Sequence, residues 1–356
     1  KRGESGKMKI SYNSYAGWQN ATQLPDFVES AEYAKLRNEA NINAGAGISY
    51  TDADIEKFRN GSDPDNFPNV PHLKNLLTSG DGFQSNHNLS FMGGNDKTKY
   101  LFSIGYLQQN GIVAKNGYSK YNILLNTDTK IKDNLTLKVN LAGYTSENHS
   151  PRQYDGGMNS MINYAVRQGP IFAGKKSDGT YGYQDNYSPE AWMSSQSFYK
   201  GTNKYFLGSS EIAWEVIKGL TLSGKVGYNF WSYYNKDYAS DFVFNANKTV
   251  GPNNLTVSSG QGQQLTMQSL ATYTKQIDQH SFTILGGVSQ EQYDDWGMSA
   301  FRKDFPTNTL YEINGGSATG MSNSGSASAW SMRSFFSRVN YSYNGRYLFE
   351  ANMRSD

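Results

Sequence analysis

Leu135-Thr136-Leu137-Lys138-Val139-Asn140-Leu141-Ala142 sets four large apolar side chains at every second position, with Thr, Lys, Asn and Ala between them. Successive side chains of an extended chain point to opposite faces, so this octapeptide is a strand with one oily side. Ile131-Lys132-Asp133-Asn134 ahead of it is a tight turn by composition, and the same period resumes beyond the turn at 118 to 130, with Tyr121, Ile123 and Leu125 in phase. The segment therefore reads as a hairpin whose two strands share an apolar face.

The period extends in both directions. Lys7 to Trp18 sets Met8, Ile10, Tyr12, Ala16 and Trp18 against Lys7, Lys9, Ser11 and Asn13. It returns at 84 to 94 and at 97 to 108, then at 202 to 215, 219 to 236, 263 to 276, 280 to 293, 331 to 343 and from 346 onward. That predicts roughly eleven strands, and one as long as 219 to 236 exceeds the five or six residues typical of a soluble β-sandwich or propeller.

The connections alternate between tight and long. Gly93-Gly94-Asn95-Asp96, Ile217-Lys218-Gly219, Gln276-Ile277-Asp278-Gln279 and Asn344-Gly345-Arg346 join the turn already described, while 19–83, 148–201, 237–262 and 294–330 are long and 109–117 is a short exception. All the long loops then fall on one rim, which is the plan of a transmembrane antiparallel β-barrel with periplasmic turns and extracellular loops. Aromatic girdles are expected at both headgroup levels: Trp18, Tyr106 and Phe230 at the long-loop ends of their strands, and Trp214, Tyr273, Tyr341 and Tyr343 near the tight turns. Within the first long loop, Pro25-Asp26 opens a helix over Phe27 to Asn38, and Thr51 with Asp54 reads as an N-cap before Ile55 to Phe58.

Composition agrees with a membrane wall. The chain has 356 residues, with 26 Tyr, 18 Phe, 6 Trp and 36 Gly, and only 18% are charged, against about 25% in ordinary soluble domains. Mean hydropathy is −0.68 and no run approaches the eighteen or so apolar residues of a membrane helix, whereas a barrel strand needs about ten with one apolar face. A net charge of +2 without basic blocks argues against nucleic acid, and zero Cys excludes disulfides and thiolate sites. The start, Lys1-Arg2-Gly3-Glu4-Ser5-Gly6, is no signal peptide.

No catalytic constellation, cofactor motif or metal spacing emerges. His72, His87, His149 and His280 are scattered; Asp63-Pro64-Asp65-Asn66 reads as a turn; Gly45-Ala46-Gly47 follows no strand; and Asp294-Asp295 with Glu291 would point to opposite faces of a strand rather than pair for glycoside hydrolysis. No enzyme is expected. The long loops instead carry Tyr154, Tyr181, Tyr183, Tyr187, Trp192 and Phe198 among Asn and Gln, a set suited to holding sugars by ring faces and planar amides, and equally ordinary for an exposed rim.

Several segments resemble the SusC/RagA family of TonB-linked outer-membrane receptors. Lys1-Arg2-Gly3-Glu4-Ser5-Gly6-Lys7 running into Ile10-Ser11-Tyr12-Asn13 is similar to that family's junction between plug and first barrel strand. Asn88 to Tyr100, with Gln109-Asn110-Gly111-Ile112, resembles its second hairpin, and Arg338 to Tyr343 with Arg346 to Arg354 its mid-barrel hairpin. Pro68-Asn69-Val70-Pro71-His72-Leu73 departs from the Asp-Trp pair common after Pro-Asn there. The resemblance implies that 1–6 end a plug, that 7–356 form the N-terminal half of a barrel of about 22 strands, and that more chain lies on either side. It also implies a SusD-like lipoprotein over the mouth, the TonB-ExbB-ExbD complex as energy source acting through the absent plug, and oligosaccharide cargo, with peptides second, in the bacterial outer membrane. A passive porin or adhesin barrel, and a soluble carbohydrate-binding β-protein, are the competing readings.

Overall fold

The computed structural model describes residues 3–356; Lys1 and Arg2 of the expected plug junction lie outside them. In chain order the strands are β1 (Gly6–Trp18), β2 (Phe83–Gly94), β3 (Thr98–Asn110), β4 (Gly117–Lys132), β5 (Leu135–Pro151), β6 (Phe198–Ile217), β7 (Leu220–Ala239), β8 (Phe242–Asn245), β9 (Lys248–Val250), β10 (Asn254–Ile277), β11 (His280–Lys303), β12 (Ser322–Tyr343) and β13 (Tyr347–Ser355). Eleven of them form one antiparallel sheet in which every strand pairs with its sequence neighbour; β8 and β9 are a separate hairpin inside a loop. The wall is thus an antiparallel meander of the outer-membrane barrel type.

Tight turns close the lower rim. At 278–279 the non-glycine Asp278 adopts φ 50°, and Asn344-Gly345 takes φ 49° and 65°, the left-handed values that two-residue hairpins demand. Gly219 sits at φ 86°, and a Cβ there would lie 2.4 Å from the Thr274 carbonyl oxygen, so only glycine fits.

Directly paired residues share a face of the sheet. On one face, Ile10, Phe91, Phe102, Leu125, Leu141, Ile212, Trp214, Val226, Met267, Ile284 and Phe335 form a continuous apolar band. Many of these are exposed, among them Ile10 at 58%, Ile212 at 45% and Val226 at 47%. An apolar patch this large is a liability in water and a requirement in a bilayer. At the same height the opposite face carries the ion triad Lys138, Glu211 and Lys225, with nitrogen-to-oxygen distances of 3.2 and 3.9 Å. Charges cannot face lipid without heavy cost, so that side is the lumen.

The band is inclined to the hydrogen-bonded rows. One row runs from Tyr12 through Leu89, Ile104, Ile123, Gly143, Phe206 and Phe230 and ends in Gln263, Asp294 and Ala329. It passes from apolar to polar because tilted strands, at about 40° in such barrels, carry a row upward across the wall. All seven expected girdle aromatics lie on the apolar face. Trp214, Tyr273, Tyr341 and Tyr343 are near the lower turns, and Trp18 and Tyr106 are near the upper ends.

Phe230 requires a correction: it is mid-strand, because β7 continues to Ala239, although it still marks the upper edge of the apolar band. The upper wall is longer than the periodicity indicated. β10 starts at Asn254, β11 runs to Lys303 and β12 starts at Ser322, so much of 237–262 and 294–330 is strand. Strands of 20 to 24 residues are twice what a bilayer needs, and their upper halves stand in water on both faces. With no apolar side to maintain, stretches such as Ser258-Ser259-Gly260-Gln261-Gly262 lose the alternation and read as loop by composition.

Candidate binding site at the long-loop rim

The upper rim carries five connections, 19–82, 111–116, 152–197, 240–253 and 304–321, and most of them fold on one another. The first contains α1 (Ser30–Asn43), α2 (Asp52–Asn60) and α3 (His72–Leu77); the third contains α4 (Met158–Arg167) and α5 (Pro189–Ser194). Thr51 caps α2 in the expected capping box with Asp54, while α1 starts three residues later than Phe27 and runs on to Asn43. Glu29 at its N-cap makes no side-chain cap bond, and the chain is instead fixed by Asn69, whose Oδ1 accepts from the Ser30 backbone N–H at 3.0 Å.

Leu73, Leu76, Val113, Met161, Ala165, Ala191, Trp192, Phe244 and Val250 make one buried core drawn from four of these connections. Polar ties surround it. The Val70 N–H donates to the Pro170 carbonyl at 3.0 Å, and Lys115 Nζ donates to the carbonyls of Met193 and Ser195 at 2.6 and 3.1 Å, its pKa lowered by burial. His72, 2% exposed, places Nδ1 at 2.9 and 3.0 Å from the Glu190 carboxylate oxygens, joining α3 to α5. The stretch Pro68 to Leu73, which departs from the family pattern, is therefore firmly packed. Asp65 accepts from the Ser177 N–H at 2.9 Å and from its hydroxyl, and these bonds hold its carboxyl below the usual range.

Five of the six loop aromatics pack into or against that assembly. Trp192 is 1% exposed and donates Nε1–H to the Asn186 carbonyl at 3.0 Å, so neither ring face is free. Trp192, expected among the ligand-contacting loop aromatics, fills the centre of the loop core in this structure. Tyr154 packs on it at 6.4 Å between centroids; Tyr181 meets Phe242 and Tyr183 meets Phe244, each at 5.6 Å. Tyr187 lies flat on Tyr164 at 3.5 Å. Phe198 belongs to a separate cluster, against Tyr238 and Tyr311 at 5.8 and 4.9 Å. Tyr154, Tyr181, Tyr183, Tyr187 and Phe198 are half-buried and keep part of their surface at the rim.

The acidic residues of β11 divide as strand geometry requires. Asp294 faces outward and takes the Gln263 amide at 3.1 Å, whereas Asp295, bonded by the Ser328 hydroxyl, and Glu291, bonded by Gln264 at 3.2 Å, face the lumen. Among the described residues no group of three His, Cys, Asp or Glu side chains is placed to hold a metal. The inner face also holds aromatics that composition alone did not single out: Trp231, Tyr233, Tyr293 and Trp330. Parity was the available signal, since Trp231 must point opposite to Phe230.

No family model matches the chain. Curated relatives are found along its whole length: it is 25% identical over 377 residues to TonB-dependent receptor P3 of Formosa agariphila, covering 100% of this chain and 34% of that protein. It is 24% identical over 374 residues to TonB-dependent receptor P26 of the same organism, again 34% of the relative. The chain thus spans about a third of the length of these relatives. In fold it is similar to the RagAB peptide transporter, with a TM-score of 0.80 at 20% identity over 99% of this chain and 42% of the other, and more distantly to the outer membrane transporter YddB of Escherichia coli, at 0.51 and 11%. Chain-long similarity to these receptors, with an apolar outer band and a charged interior, makes the chain a β-barrel wall of the outer membrane, similar to the wall of TonB-dependent receptors.

Proposed function

We propose that this chain forms the N-terminal half of the wall of an energised importer, with 1–6 as the end of a plug and 7–356 as barrel. The cargo is an oligosaccharide first and a peptide second. The observation that carries this reading is the loop assembly: four connections share one buried core at the outer rim, which makes a structured vestibule rather than the mobile fringe an unlidded pore tolerates. In this reading a SusD-like lipoprotein covers that vestibule, and the TonB-ExbB-ExbD complex drives release through the plug. Peptide cargo draws support from the likeness to a structure described as a peptide transporter. Tyr154, Tyr181, Tyr183, Tyr187 and Phe198 are the loop residues proposed to border the cargo.

The test is uptake of fluorescently tagged oligosaccharides and peptides by cells producing the full receptor, with the energising complex intact or deleted. The reading requires accumulation that is lost on deletion. Uptake that persists unchanged would favour a passive porin, and surface binding without uptake an adhesin.

A further inference from the structure

Four strands of the upper wall present an unusual inner surface. Three consecutive lumen-facing rows cross β7, β10, β11 and β12: Asn229-Gln264-Tyr293-Trp330, then Trp231-Gly262-Asp295-Ser328, then Tyr233-Gly260-Gly297-Ser326. Glycine within a strand forfeits side-chain packing, so three in two adjoining rows call for a reason. The rings supply it. A Cβ on Gly262 would lie 2.7 Å from the Trp231 indole, one on Gly260 2.8 Å from the Tyr233 ring, and one on Gly297 3.1 Å from the Tyr233 hydroxyl. Both rings therefore lie down on the bare backbone of the neighbouring strands. Their planes are 7° apart with centroids separated by 6.1 Å, so they tile the wall as one surface.

Tyr293 and Trp330 continue it across the next two strands, 22° apart at 5.7 Å. These rings are not sealed in a core: Trp231, Tyr233 and Tyr293, on strands paired along both edges, are half-buried. The rows adjoin the level at which the outer face turns polar at Gln263 and Asp294, which places the surface at the mouth of the lumen.

We infer that this surface is a stacking platform for the pyranose rings of a neutral oligosaccharide. A pyranose offers an apolar C–H face and a rim of hydroxyls, and it is matched by a flat aromatic floor edged with planar acceptors and amides. Here Asn229, Gln264 and Asp295 stand among the rings, and Glu291 sits one row lower. The charged side chains of this patch are both carboxylates, so sulfated or uronate sugars meet like charge and neutral ones do not. The inference deepens the import reading, on which it relies to bring cargo into the lumen.

The experiment uses the full receptor in detergent, titrated calorimetrically with β-1,4-xylohexaose, maltohexaose and laminarihexaose, and with a hexapeptide library as comparator. Trp231→Ala and Trp330→Ala should each weaken binding of the preferred hexasaccharide roughly tenfold; Trp231→Phe should keep most of it, and a sulfated counterpart should bind more weakly than the neutral sugar. Heat-modifiable gel migration identifies any variant whose barrel has failed to fold, and Trp330→Phe then replaces it. Equal affinity of wild type and both Ala variants would overturn the platform, as would a receptor that binds the peptides and none of the three sugars. Failure of the import reading looks different: uptake would no longer depend on the energising complex, whatever the variants do to affinity.

Discussion

Trp192 fills the centre of the loop core with both ring faces covered and its N–H satisfied by Asn186. Removing it leaves a cavity that no single neighbour can fill, so Trp192→Ala should cost the loop assembly about 3 to 5 kcal/mol. Limited proteolysis should then cut between 152 and 197 while the barrel keeps its heat-modifiable migration. Asp65 makes a pH-dependent counterpart. Its carboxyl is held low by the Ser177 bonds, so the contact between the first and third loops contributes at any pH above the unfolded aspartate value and is lost as pH falls through the depressed one. As pH falls below the ordinary aspartate value the loops should begin to loosen, read as faster amide exchange around Ser177, and Asp65→Asn should abolish that pH step.

Among the elements, the turn between β6 and β7 admits only glycine at 219, where φ is 86° and a side chain would strike the Thr274 carbonyl. Gly219→Ala should destabilise that hairpin by about 1 to 3 kcal/mol and slow assembly of the barrel, read by the fraction of heat-modifiable protein after refolding. The same strands show what could be read from residues alone. Where the wall crosses lipid, one face must be apolar and the other wet, and the alternation of Leu135 to Ala142 or Leu220 to Val226 exposes both strand and face. Above the bilayer that contrast has no cause, and Ser322 to Ser328 or Ser258 to Gly262 pair as regularly as any strand while reading as loop. The capping box at Thr51 and Asp54 was legible because it is local chemistry. The ligand roles of loop aromatics were not: a Tyr or Trp in a polar stretch reads the same whether it faces cargo or, like Trp192, fills a core assembled from residues a hundred positions apart.

For the whole molecule, everything rests on which face meets lipid. The chain contains no Cys, so once any cysteine elsewhere in the full receptor is replaced by serine, single cysteines placed in this wall report their surroundings without background. The decisive measurement is aqueous maleimide labelling, in intact outer membranes, of cysteines stepped through β7 and β10 from 221 to 229 and from 265 to 271. The account predicts a period of two. Cysteines at Leu222, Val226, Met267 and Ala271 should resist the aqueous reagent and react with a lipid-soluble one, while those at Thr221, Lys225, Gln268 and Leu270 should label from water. Uniform labelling along both strands, or the opposite phase, would contradict it.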